Sequence, residues 1–468
     1  MNTLFRRLAS VASVFAFVAA ASLLPACAHA PVPPVPAPLT AEQTENNLKS
    51  FDLVWSTVKV AHYDPTLGGI DWDAAKERYR PAVANAKSMN DARQAMSSLL
   101  GELGQSHMGI VPGEAYDDAK SAKSGDSPHA ERESGTKKPA SREKGSSGIS
   151  FRVIGDDAVV SKVRAGSPAE EAGIKTGWVL ASASGTPIAP ALKRLRESMP
   201  SSSEVDFMLA RVAESRVNGS LGERVDLSFE TGSGSIVSKS FVLAAPAGKM
   251  VSAMNLPPVP VDFESRRLDD GKGGSVGYIW FSIFLDPAGL TPKINEAMRS
   301  FKDCRGVIFD VRGNPGGLGA MSMGIAGWFV KEPKTLGEMI MRGNTLKFIA
   351  NPRGSTFDGP LAILIDGSSV STSEIFAGGM KDIGRARLFG TRTAGAALPS
   401  VLDRLPNGDG FQYVIANYIS AGGKPLEGDG VTPDEIVPLD RASLLQGRDN
   451  QIDSALRWIA ASRTSTPQ

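Results

Sequence analysis

With 468 residues, 41% of them apolar, the chain is long enough for two or three domains with sizeable cores. Fifty-one basic against 50 acidic residues leave a net charge of +1, which argues against nucleic acid or any other strongly charged partner. Four histidines, two cysteines and the lack of any His-Glu-x-x-His, paired Cys-x-x-Cys or Gly-x-x-x-x-Gly-Lys motif argue against a dedicated zinc or nucleotide site, so no metal or cofactor is expected.

The first 27 residues read as an export signal. Arg6 and Arg7 precede an apolar stretch from Leu8 to Leu24 that is short for a stable membrane span. Leu24-Pro-Ala-Cys27 resembles a bacterial lipobox, which would make Cys27 the lipidated first residue of a protein on the periplasmic face of a membrane. The alternative is cleavage after Ala28-His-Ala30, giving a soluble periplasmic protein. Either event leaves Cys304 alone, so no intrachain disulfide is expected. Residues 28–39 include Pro31-Val-Pro-Pro-Val-Pro-Ala-Pro38, an extended spacer.

Residues 40–115 carry a helical pattern. Thr40 followed by Gln43 predicts a helix start, and Phe51, Val54, Trp55 and Val58 form one apolar face. A second helix is expected after Asp71 and a third after Asn90, with Ala95, Met96, Leu99 and Leu100 inward. Residues 116–147 hold charges of both signs and almost no large apolar side chain, so a disordered loop is expected.

From 148 to 245 short strand-like runs alternate with turns. Gly148-Ile-Ser-Phe151, Gly166-Ser-Pro-Ala169, Ala172-Gly-Ile174 and Gly177-Trp-Val-Leu180 occur in an order that resembles a PDZ domain. The resemblance implies that the backbone N–H groups of Gly148, Ile149, Ser150 and Phe151 take up a peptide C-terminal carboxylate, the peptide adding a strand to the sheet edge. Residues 246–468 alternate strands and helices. Strands are expected at 276–281, 306–311 and 361–365, and helices at 294–301, 318–330, from Ile375 and at 450–461, so at least part of the sheet is parallel.

Four segments carry candidate chemistry. Asp366-Gly-Ser-Ser-Val-Ser371-Thr-Ser-Glu374 joins a buried strand to a helix. A serine there sits among free N–H groups at the positive end of the helix dipole, which suits a nucleophile; the plainer reading is a helix cap. Asp310-Val-Arg-Gly-Asn-Pro-Gly-Gly317 is a glycine-rich turn able to aim N–H groups into a pocket, without the lysine of a phosphate loop. Ser106-His107 lies just past a helix, and Pro425-Leu-Glu427 puts a carboxylate in a turn, with Asp429 and Asp434 as nearby rivals.

Together these segments resemble the S41 family of serine peptidases, the C-terminal processing and tricorn-like group. The resemblance covers about residues 61–438 and implies a multidomain α/β and β architecture: a helical N-terminal domain, a PDZ-like β domain and an α/β core of the ClpP/crotonase type. It departs from the processing branch at one place. The lysine base of that branch falls 25 positions after the nucleophile, where this chain has Ala396. The tricorn-like branch implies another arrangement: Ser371 as nucleophile, His107 as base, Glu427 as orienting carboxylate on the other ring nitrogen, and Ser106 in support. Gly317 and Thr372 would supply oxyanion-hole N–H groups. The expected function is an exported serine endopeptidase acting on polypeptide tails; the alternative is a catalytically inactive scaffold that binds peptides or other ligands.

Overall fold

In the computed structural model, residues 38–116, 143–199 and 204–462 are described. Cys27 and most of the charged loop lie outside them. The chain forms two compact units, and the first is discontinuous: residues up to Ala115 are joined by Ser400–Ile415.

In the first unit, three helices span Ala41–Ala61, Trp72–Ala84 and Met89–Gly101. Thr40 and Gln43 form the capping box of the first helix, and Asp71 caps the second. The third starts before Asn90, because Ser88 and Asp91 form a capping box of their own. Phe51, Val54, Val58, Met96 and Leu99 are fully buried with Phe411 from the distant segment. A three-stranded antiparallel sheet closes the unit, with Gly410–Val414 between Gly109–Val111 and Ser400–Arg404. Asp409, fully buried, receives the Arg93 guanidinium at 2.8 Å and the Gly113 N–H at 2.7 Å. Ser400–Ile415 therefore departs from the expected peptidase-core boundary, drawn in by these contacts.

The second unit contains two larger sheets. One is antiparallel, in the order Ile149–Ile154, Asp157–Val163, Val179–Ala183, Arg224–Glu230, Ile236–Val242. The helices Ala189–Ser198 and Val205–Val217 bury Leu192, Leu209 and Ala213 with its Phe151 and Phe229. A short strand, Lys144–Gly145, precedes it and pairs with Gly219–Ser220. Residues 144–147 were expected to be loop, but pairing and the complete burial of Ser147 order them.

The other sheet runs Phe263–Asp269, Ser275–Phe281, Gly306–Asp310, Leu361–Ile365, Arg387–Gly390, Glu435–Ile436; the first pair is antiparallel and the rest parallel. Its inner strands are buried on both faces, hence the continuous apolar runs of Gly306–Asp310 and Leu361–Ile365. Leu361, Ile363 and Ile365 face one cluster with Ile294, Ile325 and Phe376, while Ala362 and Leu364 face the other with Ala455 and Ile459. The first cluster lies under the helices Pro287–Ser300, Gly319–Ala326 and Thr372–Asp382, the second under Asn450–Ala461. Two helices differ from expectation. The 294–301 helix begins at Pro287, a proline accepted at the first position behind the Asp286 cap. The 318–330 helix stops at Ala326, since Gly327 is its C-terminal cap. A three-stranded sheet with Lys334–Met341 between Asn344–Ala350 and Ala416–Ser420 completes the unit.

Candidate active site

Two turns leave the C-terminal ends of adjacent parallel strands, the usual place for chemistry in such a sheet. Asp310 ends one strand and Ile365 the next, and the strands pair in register from Val307↔Leu361 to Asp310↔Leu364. The glycine turn and the serine turn are thus fixed side by side. Asn314 fastens them together. Its side chain donates to Phe281 O at 2.9 Å and accepts from Gly316 N–H at 2.9 Å, while its carbonyl accepts from Val370 N–H at 3.1 Å and from the Ser373 hydroxyl at 2.9 Å.

Ser371 has φ 57°, a left-handed conformation rare for a non-glycine residue and costly unless its surroundings impose it. It stands immediately before the Thr372–Asp382 helix. Gly316 has φ 90°, and a Cβ there would lie 2.7 Å from both Ser371 Cβ and Thr372 N. Only glycine lets that turn approach the serine so closely. Gly317 pairs with Phe284, whose N–H donates to Gly316 O and whose carbonyl accepts from Leu318 N–H, each at 2.7 Å. This leaves the Gly317 N–H, like that of Thr372, without a protein acceptor among the described residues. The Thr372 hydroxyl donates to Gly317 O at 2.7 Å, joining the two expected oxyanion donors.

Asp310 and Arg312 form a buried pair, with Arg312 Nη2 2.6 Å from Asp310 Oδ2. Tyr278 OH also donates to Asp310, at 2.8 Å, and Asp449 and Gln451 receive the other end of the guanidinium at 2.8 and 2.6 Å. The pair holds the strand end beside the turn. Asp366 accepts from Gly313 N–H at 3.0 Å and Ser368 N–H at 2.9 Å, and pairs with Arg152 from the edge strand of the antiparallel sheet.

Glu427 accepts from Ala397 N–H at 3.1 Å. Asp434 is a turn residue: it accepts from Leu388 N–H at 2.8 Å and pairs with Lys381 at 3.2 Å. Ala396 occupies the position of the missing lysine and accepts the Ser371 N–H at 2.8 Å.

In the first unit, His107 (φ 58°) precedes the strand Gly109–Val111. Ser106 Oγ lies 2.8 Å from His107 Nδ1. When Nδ1 donates to Ser106, Nε2 carries the lone pair that a base needs. Burial pushes the imidazole down to about 4, so the ring is neutral at physiological pH. His62 is fully buried, its two nitrogens taken by Asp64 O at 3.0 Å and Gln105 Oε1 at 2.8 Å, and it braces the loop before Ser106.

Gly148–Phe151 opens the edge strand of the antiparallel sheet. Two of the four expected carboxylate donors are committed locally: Gly148 N–H to Ser146 Oγ at 3.1 Å and Ile149 N–H to Ser147 Oγ at 3.2 Å. Cys304 is a buried free thiol, 3.4 Å from the Ser275 hydroxyl. A cleft of about 1080 Å³ lies at the opposite ends of the parallel strands, around Arg305, Leu361 and Arg387.

The residues missed in the sequence are Glu374 and Asn314, around Ser371, and Glu204, whose carboxyl is pushed up to about 7 by burial and then by the charge of Glu427. Glu374 stands three residues after Ser371, a spacing that also fits an ordinary capping box.

Residues 275–437 match the model of peptidase family S41, and residues 44–101 that of the tricorn protease C1 domain. A carboxyl-terminal-processing protease of Synechocystis sp. is 29% identical over 298 residues, 62% of this chain and 62% of that protein. Carboxyl-terminal-processing peptidase 3, chloroplastic, of Arabidopsis thaliana is 23% identical over 387 residues, 81% of this chain and 67% of the relative. A putative tricorn protease homolog 2 of Streptomyces coelicolor is 26% identical over 429 residues, 87% of this chain but 32% of its own length. The chain thus spans about two thirds or less of these relatives. Two solved structures share the fold: the photosystem II D1 C-terminal processing protease, with TM-score 0.51, 20% identity and coverage of 90% of this chain and 98% of that one, and mature CPAF, with TM-score 0.59, 14% identity and coverage of 91% and 99%. The part of the chain that carries the glycine turn, the serine turn and Glu427 thus matches peptidase family S41.

Proposed function

We propose that this protein is an exported serine endopeptidase that cleaves polypeptides in their C-terminal regions, with Ser371 as nucleophile and His107 as base. The observation that carries the reading is Ser371 itself: a strained serine at a helix start, beside two N–H groups with no protein acceptor among the described residues. His107 takes the Ser371 proton as Oγ attacks the scissile carbonyl carbon. The Gly317 and Thr372 N–H groups receive the oxyanion. The C–N bond then breaks, His107 returns the proton to the amine, and water hydrolyses the acyl-enzyme by the same route. Ser106 holds the ring tautomer, and Glu427 supplies the negative charge that the imidazolium requires.

The antiparallel sheet would act as the PDZ-like module, taking the substrate tail along its edge strand at Gly148–Phe151, and the parallel sheet as the ClpP/crotonase-type core. Cys27 would carry a lipid anchor to the membrane.

The test is labelling of the body that begins at Thr40 by a fluorophosphonate probe. Ser371→Ala should abolish labelling, and His107→Ala should slow it by about 10³-fold. A folded wild-type protein that never labels would favour an inactive peptide-binding scaffold, the reading to which Ala396 in place of lysine points.

A further inference from the structure

Glu374 lies on the first turn of the Thr372–Asp382 helix and is fully buried. Its Oε2 accepts from Ser371 N–H at 2.9 Å and Ala396 N–H at 3.0 Å. Its Oε1 accepts from Gly395 N–H at 2.7 Å and from the Thr393 hydroxyl at 2.6 Å. A capping box needs only the first of these. The other three reach into the segment that holds the Glu427 turn. Val431 N–H donates to Thr393 Oγ1 at 2.7 Å, Gly428 N–H to Gly395 O at 2.7 Å, and Ala397 N–H to Glu427 at 3.1 Å.

None of these partners is a cation, so the arrangement costs desolvation with no ion pair to offset it. A helix start needs no such device, since Ser88 and Asp91 cap another helix of this chain at an exposed site. Ser371 N–H also donates directly to Ala396 O at 2.8 Å, and what Glu374 adds to that bond is a second link: one carboxylate joins the peptide nitrogen of Ser371 to three further donors in the segment carrying Glu427.

The geometry points to Glu374 as a positioning residue: its carboxylate holds the strained serine turn and the Thr393–Ala397 segment in one register, fixing Ser371 relative to Glu427. This rests on the reading of Ser371 as nucleophile. Each oxygen receives two donors, so the role belongs to a carboxylate and not to any side chain of that size. A carboxamide of the same shape would turn its own N–H₂ toward two donors.

The experiment compares wild type, Glu374→Gln and Thr393→Val in the body beginning at Thr40, using a fluorophosphonate at a series of concentrations. This separates the rate of inactivation at saturation from the probe's affinity. Glu374→Gln is expected to lower the saturated rate by about 100-fold with affinity unchanged, the scale of a misplaced reacting atom. Thr393→Val, which removes one donor, should lower it roughly tenfold. A folded Glu374→Gln protein labelling within twofold of wild type would overturn the inference while leaving Ser371 as nucleophile. If that variant does not fold, Thr393→Val decides: labelling within twofold of wild type overturns the inference equally. Absence of labelling in folded wild type removes the nucleophile, and the positioning role with it.

Discussion

Asp310 and Glu374 are both buried carboxylates in the same unit, each receiving several hydrogen bonds, yet their surroundings push their pKa values in opposite directions. Burial alone would raise Asp310, but the Arg312 guanidinium and its hydrogen bonds hold it below the usual range. Burial pushes Glu374 up to about 7 against the hydrogen bonds from Thr393, Gly395, Ser371 and Ala396. Four neutral donors do not do what one guanidinium does, because dipoles offset only part of the lost solvation. The first carboxylate is a brace whose partners favour its ionised form. The second titrates close to neutrality, next to the serine.

Breaking the brace should have the largest effect. Asp310→Asn leaves Arg312 buried beside a weaker acceptor, and urea unfolding should show a loss of about 3–5 kcal/mol. Adding Arg312→Met to that variant should return much of the loss, since the uncompensated charge is then gone; an unchanged deficit would contradict the pairing argument. Next comes Tyr278→Phe, which deletes the hydroxyl on Asp310 Oδ2. Unfolding should show about 1.5–3 kcal/mol lost, the range for a hydrogen bond to a charged group. An unaffected Tm would mean that Arg312 alone satisfies the carboxylate.

The smallest effect sharpens the other side of the comparison. Glu204, like Glu374, has a raised pKa, so its proton is bound more tightly in the folded state. That contribution is complete below about 4.5 and lost as pH rises through about 7. Glu204→Gln cannot ionise. It should be more stable than wild type at pH 8 and equal to it near pH 4.5. His107, whose lowered pKa costs stability as pH falls from 6.5 toward 4, cancels in this difference. An equal shift at both pH values would rule out titration of Glu204.

How much of this was legible in the sequence differs from segment to segment. Leu361–Ile365 and Asn450–Ala461 could be read to the residue, one as an uninterrupted apolar run and the other from its apolar spacing. The serine turn and the glycine turn were legible as turns that follow buried strands, and Ser106-His107 as a segment just past a helix, from the order of their residues. The allegiance of Ser400–Ile415 was not, since nothing local distinguishes a strand that pairs with Gly109–Val111 from one in the following sheet. Nor was the antiparallel pair of Lys334–Met341 with Asn344–Ala350, whose outer strand is mostly exposed and lacks a buried alternation. Glu374 was visible only as a cap, because three of its four donors come from residues 393–396, about 20 positions away.

The discontinuity of the first unit has a consequence in time. The strand that leads away from His107 has its sheet partner in Gly410–Val414, about 300 residues later in synthesis. At about 5–20 residues per second, that partner is made roughly 15–60 seconds after the histidine. The loop carrying the proposed base therefore lacks its scaffold until the serine turn already exists. A nascent chain of this architecture cannot complete the sheet beside His107 until Gly410–Val414 has been made.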